Sequence, residues 1–156
     1  MDTIDAIDAR ILLALDDDPE ATVLGLARTL RLARNTVHAR LRRMTTNGTL
    51  RGYAIRVDPA ALGYPLAAFV LLSISQAGGD QVTARLAELP QVVEIHAVTG
   101  EADLLVKVVA RNTADLRAVT DRMVNVEGVV RSNTAVSLVE SMPTRLRALL
   151  EVVSGG

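Results

Sequence analysis

The chain has 156 residues, and 17 Lys and Arg against 18 Asp and Glu give a formal charge of −1, which carries no global sign of a nucleic-acid partner. With 49% hydrophobic and 22% charged residues, the composition is that of a folded globular protein and too apolar for a disordered chain. The lack of Cys excludes disulfide frameworks, thiolate zinc sites, iron–sulfur clusters and Cys nucleophiles, and two His leave any metal site dependent on carboxylates, so no cofactor is expected.

In chain order, Ile4, Ile7, Ile11 and Leu15 recur at helical spacing, with Asp2 or Thr3 as N-cap and Asp16-Asp17-Asp18-Pro19 as stop. Thr22 caps a second helix that turns Leu26, Ala27 and Leu30 inward. A third helix is expected from Arg34 to Thr46, with Val37, Leu41 and Met44 as its buried stripe and Asn47-Gly48 ending it. Leu50, Tyr53, Ile55 and Val57 then alternate as a β-ribbon that closes at Asp58-Pro59. Three short helices, a tight turn between the second and third, and a ribbon outline a winged helix-turn-helix.

Residues 66–139 contain a weak internal repeat. An apolar run over Leu66–Ser75, helical spacing at Val82, Leu86 and Leu89, and a second apolar run over Val92–Thr99 make a βαβ unit. Thirty-seven residues further on the series recurs as Leu104–Ala110, then Leu116, Val119, Met123 and Val126, then Val129–Val139. Two such units in tandem predict a βαββαβ, ferredoxin-like domain with both helices on one face of a four-stranded sheet. The other face is also apolar, because Phe69–Leu72 and Leu104–Val109 are hydrophobic at nearly every position. Strands that are apolar on both sides are normally covered on both sides, which predicts a homodimer. A last helix over Arg145–Val153, capped by Thr144, is expected to turn Leu146, Leu149 and Leu150 inward. The fold class is therefore α+β, divided into a helix-turn-helix over residues 1–50, a ribbon and linker over 51–65, and a ferredoxin-like domain over 66–156.

The charge is segregated. Between Ala21 and Val57 stand eight Arg and no acid, and the remaining residues carry nine basic against 18 acidic side chains, so a +8 window is cancelled by −9 elsewhere. A basic patch over the second and third helices is the footprint of polyanion binding. At about 100° per residue, Asn35, Thr36, His38, Ala39, Arg42 and Arg43 lie within a quarter turn of the direction opposite the third helix's buried stripe, while Arg34 and Arg40 flank that stripe. Asn35, Thr36, His38 and Arg42 are assigned to base edges, and Arg34, Arg40 and Arg43 to the phosphate backbone of double-stranded DNA.

Several segments resemble the leucine-responsive/asparagine-regulator (Lrp/AsnC) family of feast/famine transcription factors. They are Ile4-Asp5-Ala6-Ile7-Asp8-Ala9-Arg10-Ile11-Leu12, Leu41-Arg42-Arg43-Met44 through Gly48-Thr49-Leu50-Arg51-Gly52-Tyr53, Asp58-Pro59-Ala60-Ala61-Leu62-Gly63, and Val98-Thr99-Gly100-Glu101-Ala102-Asp103, in the family's order along nearly the whole chain. The resemblance implies a DNA-binding winged helix-turn-helix joined to a ferredoxin-like effector and oligomerisation domain. It further implies dimers built through the sheets, higher assemblies such as tetramers or octamers, and an amino acid as effector. Three positions depart from the family's pattern: Arg31 stands where a turn glycine is usual, Ala33 where a serine starts the third helix, and Ala102 where the effector loop has an aromatic residue.

That loop carries the family's effector site, so the resemblance implies that Thr99, Gly100, Glu101, Ala102 and Asp103 bind the effector, with Ser132, Thr134 and Val136 on the last strand completing the pocket. Gly100 would let backbone amides approach a carboxylate and Asp103 would pair with an ammonium; a plain tight turn is the simpler alternative. The function expected is sequence-specific regulation of transcription, modulated by an amino acid or related small molecule, with an architectural, nucleoid-associated DNA-binding protein as the alternative. No phosphate-binding glycine pattern or nucleophile–base pair suggests an enzyme. An RNA-recognition role for the βαββαβ unit would need aromatic residues on its central strands, and those strands offer only Phe69. The N-terminus lacks a basic leader, and no apolar run reaches the roughly 18 residues of a membrane span. A cytoplasmic, nucleoid-associated protein with no membrane partner is expected.

Overall fold

The computed structural model describes residues 3–51, 57–75 and 79–155. The expected ribbon falls largely on residues 52–56 and lies outside them. The chain divides into two compact units, Met1–Ile55 with Met142–Gly156, and Arg56–Ser141. The final fifteen residues, assigned from sequence to the second domain, thus group with the first.

The first unit holds α1 (Ala6–Asp17), α2 (Val23–Leu30), α3 (Arg34–Thr46) and a C-terminal helix, α6 (Arg147–Val153). The cap of α1 is Asp5 rather than Asp2 or Thr3. Its carboxylate accepts from the Asp8 amide, and the Asp8 carboxylate accepts from the Asp5 amide, a reciprocal capping box. Thr22 caps α2 as expected. Ile11, Leu26, Ala27, Val37 and Met44 form the buried core, with Ile4, Ile7, Leu15, Leu30 and Leu41 packed around it. Each of the larger side chains buried there contributes about 1.5–3 kcal/mol.

The turn between α2 and α3 shows what the two departures cost. Arg31 ends α2 at φ 55°, ψ 45°, the one non-glycine residue with positive φ among those described. A side chain in this left-handed region costs about 1–2 kcal/mol, which glycine avoids. Arg31→Gly is therefore expected to stabilise this unit by about 1 kcal/mol, after glycine's greater unfolded-state entropy is set against the gain. At the start of α3, Ala33 occupies the cap with no side-chain hydrogen bond, and neither Asn35 nor Thr36 substitutes for it. Ala33→Ser should add about 1 kcal/mol through a bond to an orphan amide of the first turn. Both gains would be read as higher midpoints in urea unfolding.

The last helix differs from expectation. It starts at Arg147 behind an uncapped Leu146, two residues later than the Thr144 cap implied, and Leu146 and Leu149 are exposed rather than turned inward. It packs on α1, with Arg147 paired to Asp16 and Asp17.

The second unit begins with a single 3-10 turn, Pro59–Leu62, capped by Asp58. It continues as β1 (Leu66–Ile74), α4 (Gly79–Ala87), β2 (Val92–Ala97), β3 (Leu104–Ala110), α5 (Thr113–Val124) and β4 (Val129–Ser137). The sheet order is β2-β3-β1-β4 with every pair antiparallel, the topology that two βαβ units in tandem produce. Ala68, Val70 and Leu72 of β1 and Leu104, Val106, Val108 and Ala110 of β3 bury one sheet face against Val82 and Leu86 of α4 and Leu116, Val119 and Met123 of α5. The repeat's connector needs its glycine. Gly128 has φ +99°, and a Cβ there would lie 2.8 Å from a Val82 methyl.

The opposite face carries Phe69 and Leu71, 37% and 38% exposed, beside Leu105 in register with Leu71. At the β2 side of this face Glu94 lies 3.4 Å from Lys107 and 3.3 Å from His96, and the His96 hydrogen bond, with help from Lys107, holds the Glu94 carboxyl below its ordinary range.

Candidate nucleic-acid interface and effector cleft

In α3, Val37 and Met44 are buried and Leu41 is half-buried, which turns Asn35, His38, Ala39 and Arg42 outward as exposed side chains, with Thr36 half-buried. Arg34 is exposed at the first helical position. Arg28, Arg31, Arg34, Arg42 and Arg51 are exposed and have no ion pair among the described residues.

Arg40 and Arg43 also make ion pairs within the unit that the helical wheel does not reveal. Asp8 is fully buried, and both guanidinium groups reach it: Arg40 Nη1 lies 2.8 Å from Asp8 Oδ1 and 2.6 Å from Asp5 Oδ2, and Arg43 Nη2 pairs with Asp8 Oδ2. A buried carboxylate is tolerated only when its charge is compensated and its oxygens are hydrogen-bonded. Here two arginines and the Asp5 amide do both, fastening α3 to the start of α1. Arg40 is therefore internally neutralised, a structural residue rather than a free phosphate ligand. Arg43 is half exposed and keeps part of its guanidinium toward solvent.

The hydrogen bond from Arg40, reinforced by the Asp8 amide, lowers the Asp5 pKa from 3.8 to about 2. A carboxyl whose folded pKa is depressed adds stability above its unfolded value, and that contribution is lost as pH falls through the folded one. Between pH 4 and 2 the wild type is thus expected to lose more stability than Asp5→Asn. Urea midpoints of the two proteins measured across that window check it.

In the second unit, the loop between β2 and β3 is tied down by backbone and side-chain bonds. The Val98 amide donates to Asp103 O at 2.9 Å, and the Asp103 amide to Leu72 O at 2.9 Å. Asp103 Oδ2 accepts from the Ile74 amide at 2.8 Å, so this carboxylate helps hold the loop to β1. Glu101 O accepts from Ser73 Oγ at 3.2 Å and from Arg131 Nη2 at 3.0 Å. Gly100, at φ +116°, makes the reversal that lets the loop fold back.

These ties frame a cleft of about 350 Å³, at the small end of the usual ligand-site range of about 300–1,000 Å³. Leu71 and Ser73 of β1, Glu101 and Ala102 of the loop, and Arg131 to Thr134 of β4 line it. Of the residues expected from sequence, Glu101, Ala102, Ser132 and Thr134 come together here, whereas Thr99, Gly100, Asp103 and Val136 do not line the cleft. Sequence reading missed Leu71, Ser73, Arg131 and Asn133. The strand register accounts for the difference: Ser73 faces Arg131 and Leu71 faces Asn133 across the β1–β4 ladder, on the sheet face away from the helices. The resemblance named the even-numbered Ser132, Thr134 and Val136, whereas the register puts the side chains of the odd-numbered Arg131 and Asn133 on the open face.

A helix-turn-helix with a bare basic face and an α+β domain with a small polar cleft define a ligand-responsive DNA-binding protein. The comparisons agree. Residues 4–51 match the family model for winged helix-turn-helix DNA-binding domains, and residues 67–146 match that of the Lrp/AsnC ligand binding domain. The chain is 30% identical over 135 residues to the HTH-type transcriptional regulator FL11 of Pyrococcus horikoshii, covering 86% of this chain and 89% of that protein. The structure of E. coli AsnC superposes with a TM-score of 0.83 at 25% identity, over 94% of this chain and 99% of that one. The feast or famine regulatory protein of M. tuberculosis complexed with L-methionine gives 0.82 at 28% identity, over 92% and 97%. The chain belongs to the Lrp/AsnC family of transcriptional regulators. No helix among the described residues is long and apolar enough to cross a membrane.

Proposed function

We propose that this regulator reads specific double-stranded DNA sites through the outward face of α3, and that an amino acid or related small molecule bound in the β1–loop–β4 cleft modulates its assembly or DNA affinity. Asn35, Thr36, His38 and Arg42 meet base edges. Arg34 and the exposed half of Arg43 meet phosphates, with Arg28, Arg31 and Arg51 adding to the same positive field. The observation that carries this reading is the division of labour among the arginines. Asp5 and Asp8 neutralise Arg40 and engage Arg43, while the remaining described arginines of the basic window stay exposed without an acid.

The apolar part of the sheet's open face around Phe69 supports a homodimer, assembling further to a tetramer or octamer, since burying Phe69 removes apolar surface from water. The L-methionine complex of the mycobacterial relative supports an amino acid as the class of effector.

Selection of bound duplexes from a random library, repeated with amino-acid excess, tests both halves. A recurrent motif whose enrichment changes with at least one amino acid is expected. A library that emerges unenriched would overturn sequence-specific reading, and enrichment indifferent to every amino acid would overturn effector control.

A further inference from the structure

We propose that the cleft selects an effector with a hydrogen-bonding side chain, of the amide or hydroxyl class, and disfavours aliphatic and thioether amino acids; this rests on the reading of the cleft as the effector site. The lining decides it. Six of the eight lining residues are polar or charged, and Leu71 and Ala102 alone are apolar. Two of the six carry opposite charges. Arg131 spends one N–H on Glu101 O, and neither the Arg131 guanidinium nor the Glu101 carboxylate has an ion-pair partner among the described residues. Together they match the carboxylate and ammonium of a zwitterion.

What remains on the open face to meet the ligand's side chain is then Ser73 and Asn133, because Ser132 and Thr134 stand in register with the buried Leu72 and Val70 and turn their side chains to the other face. The Asn133 amide both donates and accepts, as a carboxamide does, and the Ser73 hydroxyl, which donates to Glu101 O, keeps its lone pairs as acceptors. An aliphatic side chain pressed against these groups would strip their water and return no hydrogen bond, and sites built to hydrogen-bond a ligand group reject analogues that lack it. Ala102 adds to the bias, because it offers a methyl group where an aromatic ring would supply an apolar wall.

Isothermal titration of the full chain with L-asparagine, L-glutamine, L-serine, L-threonine, L-leucine, L-methionine, L-valine and L-phenylalanine tests this. At least one of the first four is expected to bind roughly tenfold or more tighter than any of the last four, about the discrimination one satisfied hydrogen bond gives. Asn133→Leu, at an exposed strand position, should narrow that gap to within about threefold while circular dichroism and melting stay close to wild type. Tighter binding of the aliphatic or thioether ligands, or a gap unchanged in Asn133→Leu with no other loss, overturns the selectivity and leaves the effector site standing. No binding by any of the eight overturns both together.

Discussion

Replacing Asp8 by Ala should cost this regulator about 3 kcal/mol of stability, the low end of what breaking a buried ion pair costs when one partner is removed. The low end is the right one because the two arginines are not themselves buried: the Arg40 side chain is 22% exposed and that of Arg43 50%, so water recovers part of the charge left behind. The loss combines the two ion pairs with one half of the capping box, since the Asp5 amide loses its acceptor. Asp8→Asn separates these contributions, because it keeps an oxygen for the Asp5 amide and removes only the charge. It should fall between wild type and Asp8→Ala in urea unfolding. A functional consequence follows from the same geometry. With the carboxylate neutralised, Arg40 and Arg43 add to the positive field of α3, so Asp8→Asn should bind random duplexes more tightly and steepen the salt dependence by about one unit per freed phosphate contact.

The double variant Asn35→Ala/Arg42→Ala is expected to lose about 2–6 kcal/mol of preference for the selected site over random DNA, taking about 1–3 kcal/mol for each base-edge contact. Affinity for random duplexes should change far less, by the share of one exposed arginine in the basic field. Because both side chains are exposed, the variant should melt near wild type. Equal loss on specific and random duplexes would reassign both residues to the phosphate backbone.

The sequence made most of the architecture legible where a local rule sufficed. The bounds of α3 follow from its buried stripe and the Asn47-Gly48 stop, and Thr22 caps α2 because a hydroxyl before an apolar run needs nothing distant. The repeat exposes the sheet because strand and helix periods alternate twice. Partners far apart in sequence were invisible in it. Asp8 shares the buried stripe of Ile4, Ile11 and Leu15, and an acid there is a signal that a cation must come from elsewhere. Its partners stand 32 and 35 residues away on α3, at positions that a helical wheel of α3 alone sends toward DNA. The cleft was half legible for a similar reason. Glu101 and Ala102 lie on the loop that the resemblance marked, but Arg131 and Asn133 join them only through the β1–β4 register, which one strand's alternation cannot supply. The C-terminal helix misled because Leu146, Leu149 and Leu150 look like a buried stripe, yet of these Leu146 and Leu149 face solvent.

The most direct test of the account is fluorescence anisotropy of the full chain on the duplex enriched from a random library against a scrambled duplex of equal length, at about 0.15 M salt. A specificity ratio of about 10³ or more is expected, collapsing in Asn35→Ala/Arg42→Ala and surviving in Ala33→Ser. A ratio below about 10, indifferent to the double substitution, would contradict it and describe an architectural DNA-binding protein instead.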